Sequence, residues 1–402
     1  MVMGNVVGGG TLALPIVSGL CGYYIAIFGI IVIGFIMLVS GFVIIHCIDS
    51  DKKKFDMPSF YASQMGGAFK HMSILCNMII LYGVLIALLS GISTMIPNLF
   101  PSLFKYRYFI TVIYFTICTG IILFGLKEIR SSMFFLTIIV WFCFFMMLVS
   151  GTEQFDYQKL NDMNYKYLPL CFPVAICAFH YHNVIPTVFK MLNNDKKSTY
   201  ITISVGVIIG LIINLVWITV VLGTVPVYSA DNNNIIYSFR NGLYANAPMA
   251  HILKLGLFTT FSTLFSILTT TTSFLTTGAG LYGYMEDIFY NKFNIDNKLL
   301  VAAVAFMPPL LITFMYPNLF IRMLSIVGGI GESMLFGILP AVVLLKINNR
   351  FKHKIHYGLY SAIKCVGYFM FIVSSFVFIY MFAKELGFIN PNFNDIISRT
   401  LL

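Results

Sequence analysis

The sequence predicts an all-α integral membrane protein with about eleven transmembrane helices, arranged as a five-plus-five inverted repeat in which helices 1 and 6 are broken. Hydrophobic residues make up 59% of the 402 residues, charged residues only 10%, and the mean hydropathy is +0.88. A soluble domain carries about 25% charged residues, so this chain has too few to cover a surface in water. Long apolar runs recur along the chain, and two of them contain sequences that a regular membrane helix avoids.

The apolar runs define the predicted spans, each of about 20 residues, which is the length that crosses the hydrocarbon core of a bilayer. They lie at 1–19, 22–47, 72–96, 107–126, 131–150, 168–190, 199–223, 250–280, 299–316, 319–345 and 358–383. We expect residues 1–150 to form the first five-helix repeat, residues 168–345 the second, and residues 358–383 an additional C-terminal helix. Segment 56–70 is too polar to span, and we expect it to lie along the membrane surface.

The basic residues predict the orientation of the chain. Fifteen of the 25 Lys and Arg residues lie in or beside connections on one side of the predicted bundle, and nine lie on the other side. The positive-inside rule places the richer side in the cytoplasm, which puts the N-terminus inside and the C-terminus outside. Because the net charge of +10 is spread over short connections, we expect no nucleic-acid partner. The eight Cys residues have no C-x-x-C spacing and predict neither a metal site nor a disulfide framework.

The first span is interrupted by glycine and proline. Gly8, Gly9 and Gly10 each cost about 1 kcal/mol in a helix relative to Ala, and Pro15 removes a further backbone hydrogen bond. Irregular backbone at membrane depth survives only in buried protein or beside a cavity, and the N–H groups that it frees can bind a carboxylate. A close-packing face of small residues is the alternative, but three consecutive glycines point in different directions and fit it poorly.

The sixth span carries a polar cluster, from His180 to Asn183, between Pro173 and Pro186. Such a cluster is costly at mid-membrane unless it faces water, a substrate or a partner. A structural histidine at a helix crossing is the alternative for His180. The two interruptions occupy matching positions of two halves that run in opposite directions. This arrangement indicates a transporter whose binding site lies between broken helices, although no residue-by-residue similarity between the halves is evident.

Two segments resemble a known family. GNVVGGGTLALP, at residues 4–15, and FPVAICAFHYHNVIPTVFKML, at residues 172–192, resemble the hydroxy/aromatic amino acid permease family of the amino acid–polyamine–organocation superfamily, and within it the bacterial tyrosine- and tryptophan-specific permeases. The resemblance implies proton-coupled uptake of tyrosine or tryptophan across the bacterial inner membrane, with a periplasmic C-terminus and no cofactor. Only seven residues precede Gly8, fewer than in that family, so either the natural start lies upstream or the inner half of span 1 is missing.

The interruptions supply the candidate substrate-binding groups. These candidates are Gly8, Gly9, Gly10, Thr11, Ala178, Phe179, Tyr181 and His182. We expect backbone groups of the first four to bind the α-carboxylate, and carbonyls near Ala178 to bind the α-ammonium. Phe179 and Tyr181 are expected to stack on an aromatic substrate, with packing inside the bundle as the equal alternative. His182 is the position that matches the motif of the resembling family.

Glu332 and His182 are the candidates for ion coupling. Glu332 is the only acidic residue well inside a predicted span, and such a carboxylate is a functional candidate by default. Its alternative role is that of a structural partner for Arg322 or a hydroxyl. The hydroxyls of residues 269–273 and 276–277 offer ligands for Na⁺, although such groups usually bond to carbonyls of their own helix.

Other functions remain open at this stage. A sodium-coupled or polar amino acid symporter is the runner-up. A channel or sensor on the same scaffold would also use broken helices. A membrane-embedded enzyme is disfavoured because no H-E-x-x-H or G-x-S-x-G motif occurs in the sequence. Oligomeric state and the choice among aromatic amino acids are not predicted.

Overall fold

The computed structural model describes residues 2–48, 57–124, 130–254, 256–295, 297–350, 357–394 and 396–397, and these residues contain no β-strand. The predicted all-α class is therefore confirmed. Eight helices of the described chain are long and apolar enough to cross a membrane, and Gly9–Cys21 and Leu136–Gly151 are shorter apolar helices. The protein is a multi-pass membrane protein, whereas eleven spans and the inverted repeat stay predictions. The predicted span ends at 1 and 125–126, and the basic residues 52–54, 127, 352, 354 and 399, lie outside the described residues.

The helices follow the predicted spans closely over most of the chain. The first half forms α1 (Val2–Val6), α2 (Gly9–Cys21), α3 (Tyr23–Cys47), α4 (Met57–Met65), α5 (Gly67–Leu99), α6 (Arg107–Phe124) and α7 (Arg130–Gly151). The second half forms α8 (Leu168–Ala178), α9 (Ile185–Met191), α10 (Lys196–Thr224), α11 (Ile235–Asn241), α12 (Asn246–Leu253), α13 (Gly256–Ile288), α14 (Lys298–Met315), α15 (Phe320–Ile326), α16 (Leu339–Arg350) and α17 (Tyr357–Glu385). Short 3₁₀ segments lie at Pro101–Tyr106, Tyr157–Asn161, Tyr165–Tyr167 and His182–Val184, and π-helices lie at Phe289–Phe293 and Val327–Ile338.

Aromatic rings fill the centre of the bundle. Phe144 of α7 lies between Trp217 of α10, at 6.3 Å between ring centroids, and Phe265 of α13, at 5.1 Å. All three rings are buried. Large apolar side chains such as Phe28 and Phe145 instead face outwards, which is the pattern expected where lipid takes the place of water.

Helix α4 lies in the segment that the sequence predicts to lie along the membrane surface, and that position stays a prediction. It packs against α5 and α16, and its Met57, Phe60 and Tyr61 are buried. The Tyr61 hydroxyl donates a 2.5 Å hydrogen bond to the carbonyl of Leu335. The three buried residues occupy positions i, i+3 and i+4, so they form one apolar face that the bundle covers.

Span 8 lies further along the chain than predicted. Helix α12 ends at Leu253, Lys254 adopts a left-handed conformation with φ of +52°, and α13 then extends to Ile288. The hydroxyls of α13 explain why so polar a sequence stays helical. Thr263, for example, donates a 2.6 Å bond to the carbonyl of Thr259 within its own helix.

Span 10 contains an irregularity that the apolar pattern does not reveal. Residues Val327–Ile338 form a π-helix between α15 and α16. A Cβ added at Gly328 would lie 1.8 Å from the carbonyl oxygen of Pro173 in α8, so only glycine permits this approach. π-Helical turns are rare and often occur at functional sites, and this one carries Glu332.

Helix α10 begins with a side-chain cap. The Asp195 carboxylate accepts hydrogen bonds from the backbone N–H groups of Ser198, at 2.9 Å, and Lys197, at 3.3 Å. Hydrogen bonding, first of all from Ser198, holds the pKa of this exposed carboxyl below its usual range. These bonds satisfy N–H groups that have no partner in the first turn of a helix.

Candidate functional site: two interrupted helices in contact

The first interruption lies where the glycines predict it. Helix α1 ends at Val6, α2 begins at Gly9, and Gly8 between them is extended, with φ of −118° and ψ of −153°. The Val6 carbonyl accepts hydrogen bonds from the Thr11 hydroxyl, at 3.3 Å, and from the Asn214 side-chain amide of α10, at 3.4 Å. Helix α10 therefore bridges the break and satisfies a carbonyl that a continuous helix would have paired internally.

Thr11 contributes to the same bridge. Its hydroxyl donates to Asn214 Oδ1 at 2.9 Å, and its carbonyl accepts a 3.1 Å bond from Trp217 Nε1. In a regular helix the Thr11 carbonyl would accept from residue 15, which is proline and has no N–H. Sequence reasoning missed Asn214 and Trp217. An asparagine inside an apolar span was the available signal for the first of them.

The three glycines face three different helices. A Cβ added at Gly8 would lie 3.7 Å from Ser273 Oγ of α13, and one at Gly9 would lie 3.0 Å from the side chain of Leu88 in α5. At Gly10 it would lie 2.8 Å from the Cα atom of Ala178, the last residue of α8. The two predicted interruptions are thus in direct contact. Because glycine has no side chain, the backbone of α2 lies directly against Ala178 at this contact.

The second interruption also follows the sequence prediction. Helix α8 ends at Ala178, and α9 begins at Ile185 with Pro186 in its first turn. Between them Phe179, with φ of −97° and ψ of +30°, leaves the helical conformation. Helices α8 and α2 pack side by side in opposite directions, because Gly10 lies beside Ala178 and Ser18 Oγ lies 3.5 Å from Cys171 Sγ. The C-terminal end of α8 is therefore beside the N-terminal end of α2.

The aromatic candidates of the second interruption pack inside the bundle. Phe179, Tyr181 and His182 are completely buried. The Tyr181 hydroxyl donates a 2.8 Å bond to the carbonyl of Met37 in α3. A Cβ at Gly34 would lie 3.1 Å from the ring of Phe179. These contacts favour the packing alternative over direct stacking on a substrate.

His182 lies in a stack of three rings. Its ring centroid is 4.4 Å from that of Tyr181 and 4.3 Å from that of Phe336, which belongs to the π-helix. One ring nitrogen, Nε2, lies 3.2 Å from the Met37 carbonyl. His182 therefore connects the second interruption to α3 and to span 10.

The neighbouring histidine makes the contact that the sequence did not predict. His180 Nδ1 lies 2.6 Å from Glu332 Oε1, and Glu332 is fully buried. Arg322, the partner considered for Glu332, pairs instead with Glu385 at 2.7 Å. The second carboxylate oxygen of Glu332, Oε2, has no hydrogen-bond partner among the described residues. A buried carboxylate with one free oxygen can accept a proton or the N–H group of a ligand.

This pair has a hydrogen-bonded route to the surface. The His180 side chain is 23% exposed, and its Nε2 atom lies 3.0 Å from the side-chain amide of Asn183, which is exposed. The imidazole thus connects a buried carboxylate on one side with the exposed amide of Asn183 on the other. An imidazole can pass a proton between its two nitrogens, which makes His180 a suitable relay.

The hydroxyls of α13 are divided between two roles. Thr271 and Thr272 bond to carbonyls of their own helix, as the alternative reading of this run predicted. Thr270 contacts Tyr244, and the buried hydroxyl of Thr269 has no partner among the described residues. No group of three or more potential metal-ligating side chains occurs in the part of the chain that the structure describes.

The chain is similar to known transport proteins. The tyrosine-specific transport system 1 of Haemophilus influenzae is 24% identical over 339 residues, covering 82% of each chain. The low affinity tryptophan permease of Escherichia coli K12 is 24% identical over 370 residues, covering 88% of this chain and 87% of that one. The structure is also similar to a crystal structure of a manganese transporter mutant from Eremococcus coleocola, with a TM-score of 0.59. The match covers all of this chain and 89% of the transporter chain, and at 12% identity it supports the fold alone.

The family assignment rests on a match along almost the whole chain. The pattern of the tryptophan/tyrosine permease family matches residues 1–382, which include both interruptions and Glu332. The protein is accordingly a transport protein and not an enzyme. The chain belongs to the tryptophan/tyrosine permease family.

Proposed function

We propose that the protein is a secondary active transporter that takes up an aromatic amino acid, tyrosine or tryptophan, together with a proton across the bacterial inner membrane. The observation that carries the proposal is the contact of Gly10 with Ala178, which brings two interrupted helices together beside the pair of His180 and the buried Glu332. The relatives named for tyrosine and tryptophan support the substrate class.

The ends of α2 and α8 supply the charge pattern for a zwitterion. The N-terminal end of α2, at Gly8, Gly9 and Gly10, carries partial positive charge from free N–H groups and binds the α-carboxylate. The C-terminal end of α8, at Ala178, carries partial negative charge and binds the α-ammonium. In this conformation the Thr11 N–H donates to the Gly8 carbonyl at 3.1 Å and the Thr11 hydroxyl donates to Asn214, so Thr11 holds the break together. Binding of the carboxylate by the Thr11 backbone stays a prediction.

The second interruption packs against α3 through three of its side chains, those of Phe179, Tyr181 and His182. In this conformation they position span 6 through the Met37 carbonyl and the ring of Phe336. Direct stacking of Phe179 and Tyr181 on the substrate requires span 6 to move away from α3, and it stays a prediction.

The coupling proton binds to the pair of Glu332 and His180. A buried carboxylate is costly unless it is paired or protonated, so Glu332 has two stable arrangements. When the Glu332 carboxylate is protonated, its attraction to His180 weakens and span 10 can separate from span 6. When the proton leaves, Glu332 gives it to Nδ1 of an imidazole whose own proton is on Nε2, and that Nε2 proton passes to water near Asn183. The imidazole then remains neutral with its proton on Nδ1, facing the ionised carboxylate. Proton movement is thereby linked to the relative position of the two spans.

The topology that completes this proposal follows the charge distribution. Residues 1–150 and 168–345 form the two repeats, residues 358–383 the additional helix, the N-terminus is cytoplasmic and the C-terminus is periplasmic. In this orientation Asn183 lies in the cytoplasmic half of span 6, and the proton is released there. Reporter fusions at the C-terminus test the orientation, and a cytoplasmic reporter would contradict it.

Uptake into proteoliposomes tests the function. Radiolabelled tyrosine or tryptophan is offered to the purified full-length protein under an inward H⁺ gradient, with the other aromatic amino acids as competitors. We expect saturable accumulation that competing aromatic amino acids inhibit and that collapses when a protonophore is added. Accumulation that requires Na⁺ would reject proton coupling, and unsaturable flux would indicate a channel.

A specific observation supports sodium as the second candidate for coupling. A Cβ at Gly8 would lie 3.3 Å from the carbonyl oxygen of Asn5 and 3.7 Å from Ser273 Oγ, so oxygen atoms converge at the first break. The Thr269 hydroxyl, for which the described part of the chain offers no hydrogen-bond partner, lies one helical turn from Ser273. Replacing external Na⁺ by choline separates the candidates, because it abolishes sodium-driven uptake and leaves proton-driven uptake unchanged.

A further inference from the structure

The hairpin of α11 and α12 inserts a tyrosine into the bundle. At its tip Gly242 has a positive φ of +61°, and a Cβ there would lie 2.6 Å from the carbonyl oxygen of Asn318. The Ala245 N–H donates a 3.0 Å bond to the Leu12 carbonyl of α2. These contacts fix the tip, and Tyr244 between them is only 1% exposed.

The pocket that receives this ring matches a p-hydroxyphenyl group. The Tyr244 hydroxyl lies 3.1 Å from Thr270 Oγ1 of α13. A Cβ at Gly91 of α5 would lie 2.0 Å from the same hydroxyl, so only a glycine leaves room for it. The ring lies 4.2 Å from that of Phe320 in α15. We name the space between Gly91, Thr270 and Phe320 the Tyr244 pocket.

The Tyr244 pocket lies about one helical turn from the first interruption on each of two helices. In α5, Leu88 contacts Gly9, and Gly91 lies three residues after Leu88. In α13, Ser273 lies beside Gly8, and Thr270 lies three residues before Ser273. Three residues of an α-helix span about 4.5 Å, so the pocket and the proposed substrate site are adjacent.

A cavity open to the surface borders the hairpin. It has a volume of about 650 Å³, and its lining includes Leu243, Ala247 and His251, which flank Tyr244 in the chain. The hairpin that carries Tyr244 therefore borders this cavity, and the ring of Tyr244 reaches the pocket about one helical turn from the first interruption. A substrate that enters through the cavity meets this hairpin.

We propose that the Tyr244 pocket is an access site for the p-hydroxyphenyl side chain of the substrate, which Tyr244 occupies as a tethered substitute while the hairpin is closed. The proposal rests on the proposed function, because it takes the substrate to be an aromatic amino acid. When the hairpin withdraws, the ring of free tyrosine packs on Phe320, and its hydroxyl bonds to Thr270 over Gly91. The site therefore favours tyrosine over phenylalanine, which leaves the Thr270 hydroxyl without a partner.

Two variants separate this proposal from a purely structural role of the tyrosine. Tyr244→Phe and Thr270→Val each remove the same hydrogen bond between the hairpin and α13, so both weaken the closed state. Only Thr270→Val also removes the group that would bond to the hydroxyl of a free tyrosine. A structural role predicts the same substrate preference in both variants, whereas the access site predicts different ones.

The measurement is equilibrium binding of radiolabelled tyrosine to the purified full-length protein, with unlabelled tyrosine and phenylalanine as competitors. We expect the wild type and Tyr244→Phe to prefer tyrosine by about 3- to 10-fold, the range for one hydrogen bond. In Thr270→Val the preference should fall to about one, and Thr270→Ser, which keeps the hydroxyl, should restore it. Thermal unfolding of each variant confirms that it is folded.

Each outcome decides a different question. Equal tyrosine preference in Tyr244→Phe and Thr270→Val, with tyrosine uptake intact, would overturn the access site and leave the proposed function standing. Absence of aromatic amino acid binding and uptake in the wild type would overturn the proposed function, and this inference with it.

Discussion

Replacing Glu332 by glutamine tests whether this carboxylate carries the coupling proton. The amide has nearly the shape of the carboxylate and can still bond to His180 Nδ1, 2.6 Å from the present Oε1. It cannot bind or release a proton between pH 5 and 8. The loss of a charged partner costs about 1–2 kcal/mol, the difference between a charge-assisted and a neutral hydrogen bond. Because part of the His180 ring reaches solvent, we expect Glu332→Gln to fold.

The expected effect on transport is larger than the effect on stability. With one proton per zwitterionic substrate and the membrane potential clamped, an inward gradient of about one pH unit supports about tenfold accumulation. Without a proton carrier the ratio should fall to about one. Exchange of external label against internal unlabelled amino acid needs no net proton movement and should persist. The assay therefore compares accumulation with exchange in the same proteoliposomes.

Glu385→Gln is the matched control. Glu385 also forms an ion pair, with Arg322 at 2.7 Å, but this pair is at the surface of the bundle, at the end of α17. The variant Glu385→Gln should retain the tenfold accumulation. Retention of that accumulation in Glu332→Gln would refute the assignment of the proton to Glu332.

Three further changes have defined outcomes. Gly10→Ala places a Cβ 2.8 Å from the backbone of Ala178, so it should reduce both accumulation and exchange at least about tenfold, and normal exchange would contradict the substrate site. His182→Ala empties a completely buried position between two rings and should abolish uptake, and unchanged uptake would remove His182 from the mechanism. Asp195→Ala should lower the melting temperature at neutral pH. Because the folded pKa of Asp195 is depressed, its stabilising effect is present above about pH 4 and is lost as the pH falls, so the difference from the wild type should shrink in acid.

The interruptions were predictable because their causes are local in sequence. Consecutive glycines and a proline weaken helical hydrogen bonding wherever they occur, and the structure breaks the helix between Val6 and Gly9. Apolar length likewise predicted most of the spans. The start of α13 was placed too early because the preceding α12 is also apolar, and the π-helix at Val327–Ile338 leaves no mark in an apolar pattern.

The partners of the site could not be predicted, because they lie far apart along the chain. His180 and Glu332 are 152 residues apart, and Thr11 and Asn214 are 203 residues apart. Sequence reasoning chose His182 for its match to a motif and named Glu332 for its isolation in an apolar span. It could not decide whether His180 or His182 faces the Glu332 carboxylate. In an interrupted segment, the direction of each side chain depends on its packing against α3 and span 10.

The two interruptions differ in the chemistry that holds them, and this difference indicates which half of the site responds to a proton. At the first, Thr11 and Asn214 hold the Val6 carbonyl through neutral groups that do not titrate. At the second, the contact of His180 with Glu332 loses its electrostatic attraction when the carboxylate is protonated. Protonation should therefore loosen the π-helix and α9 while α2 and α10 stay together. Amide hydrogen exchange, corrected for its intrinsic pH dependence, should show protection at π-helical amides that falls on acidification in the wild type but not in Glu332→Gln. Equal pH responses of the π-helix and α10 would contradict this division.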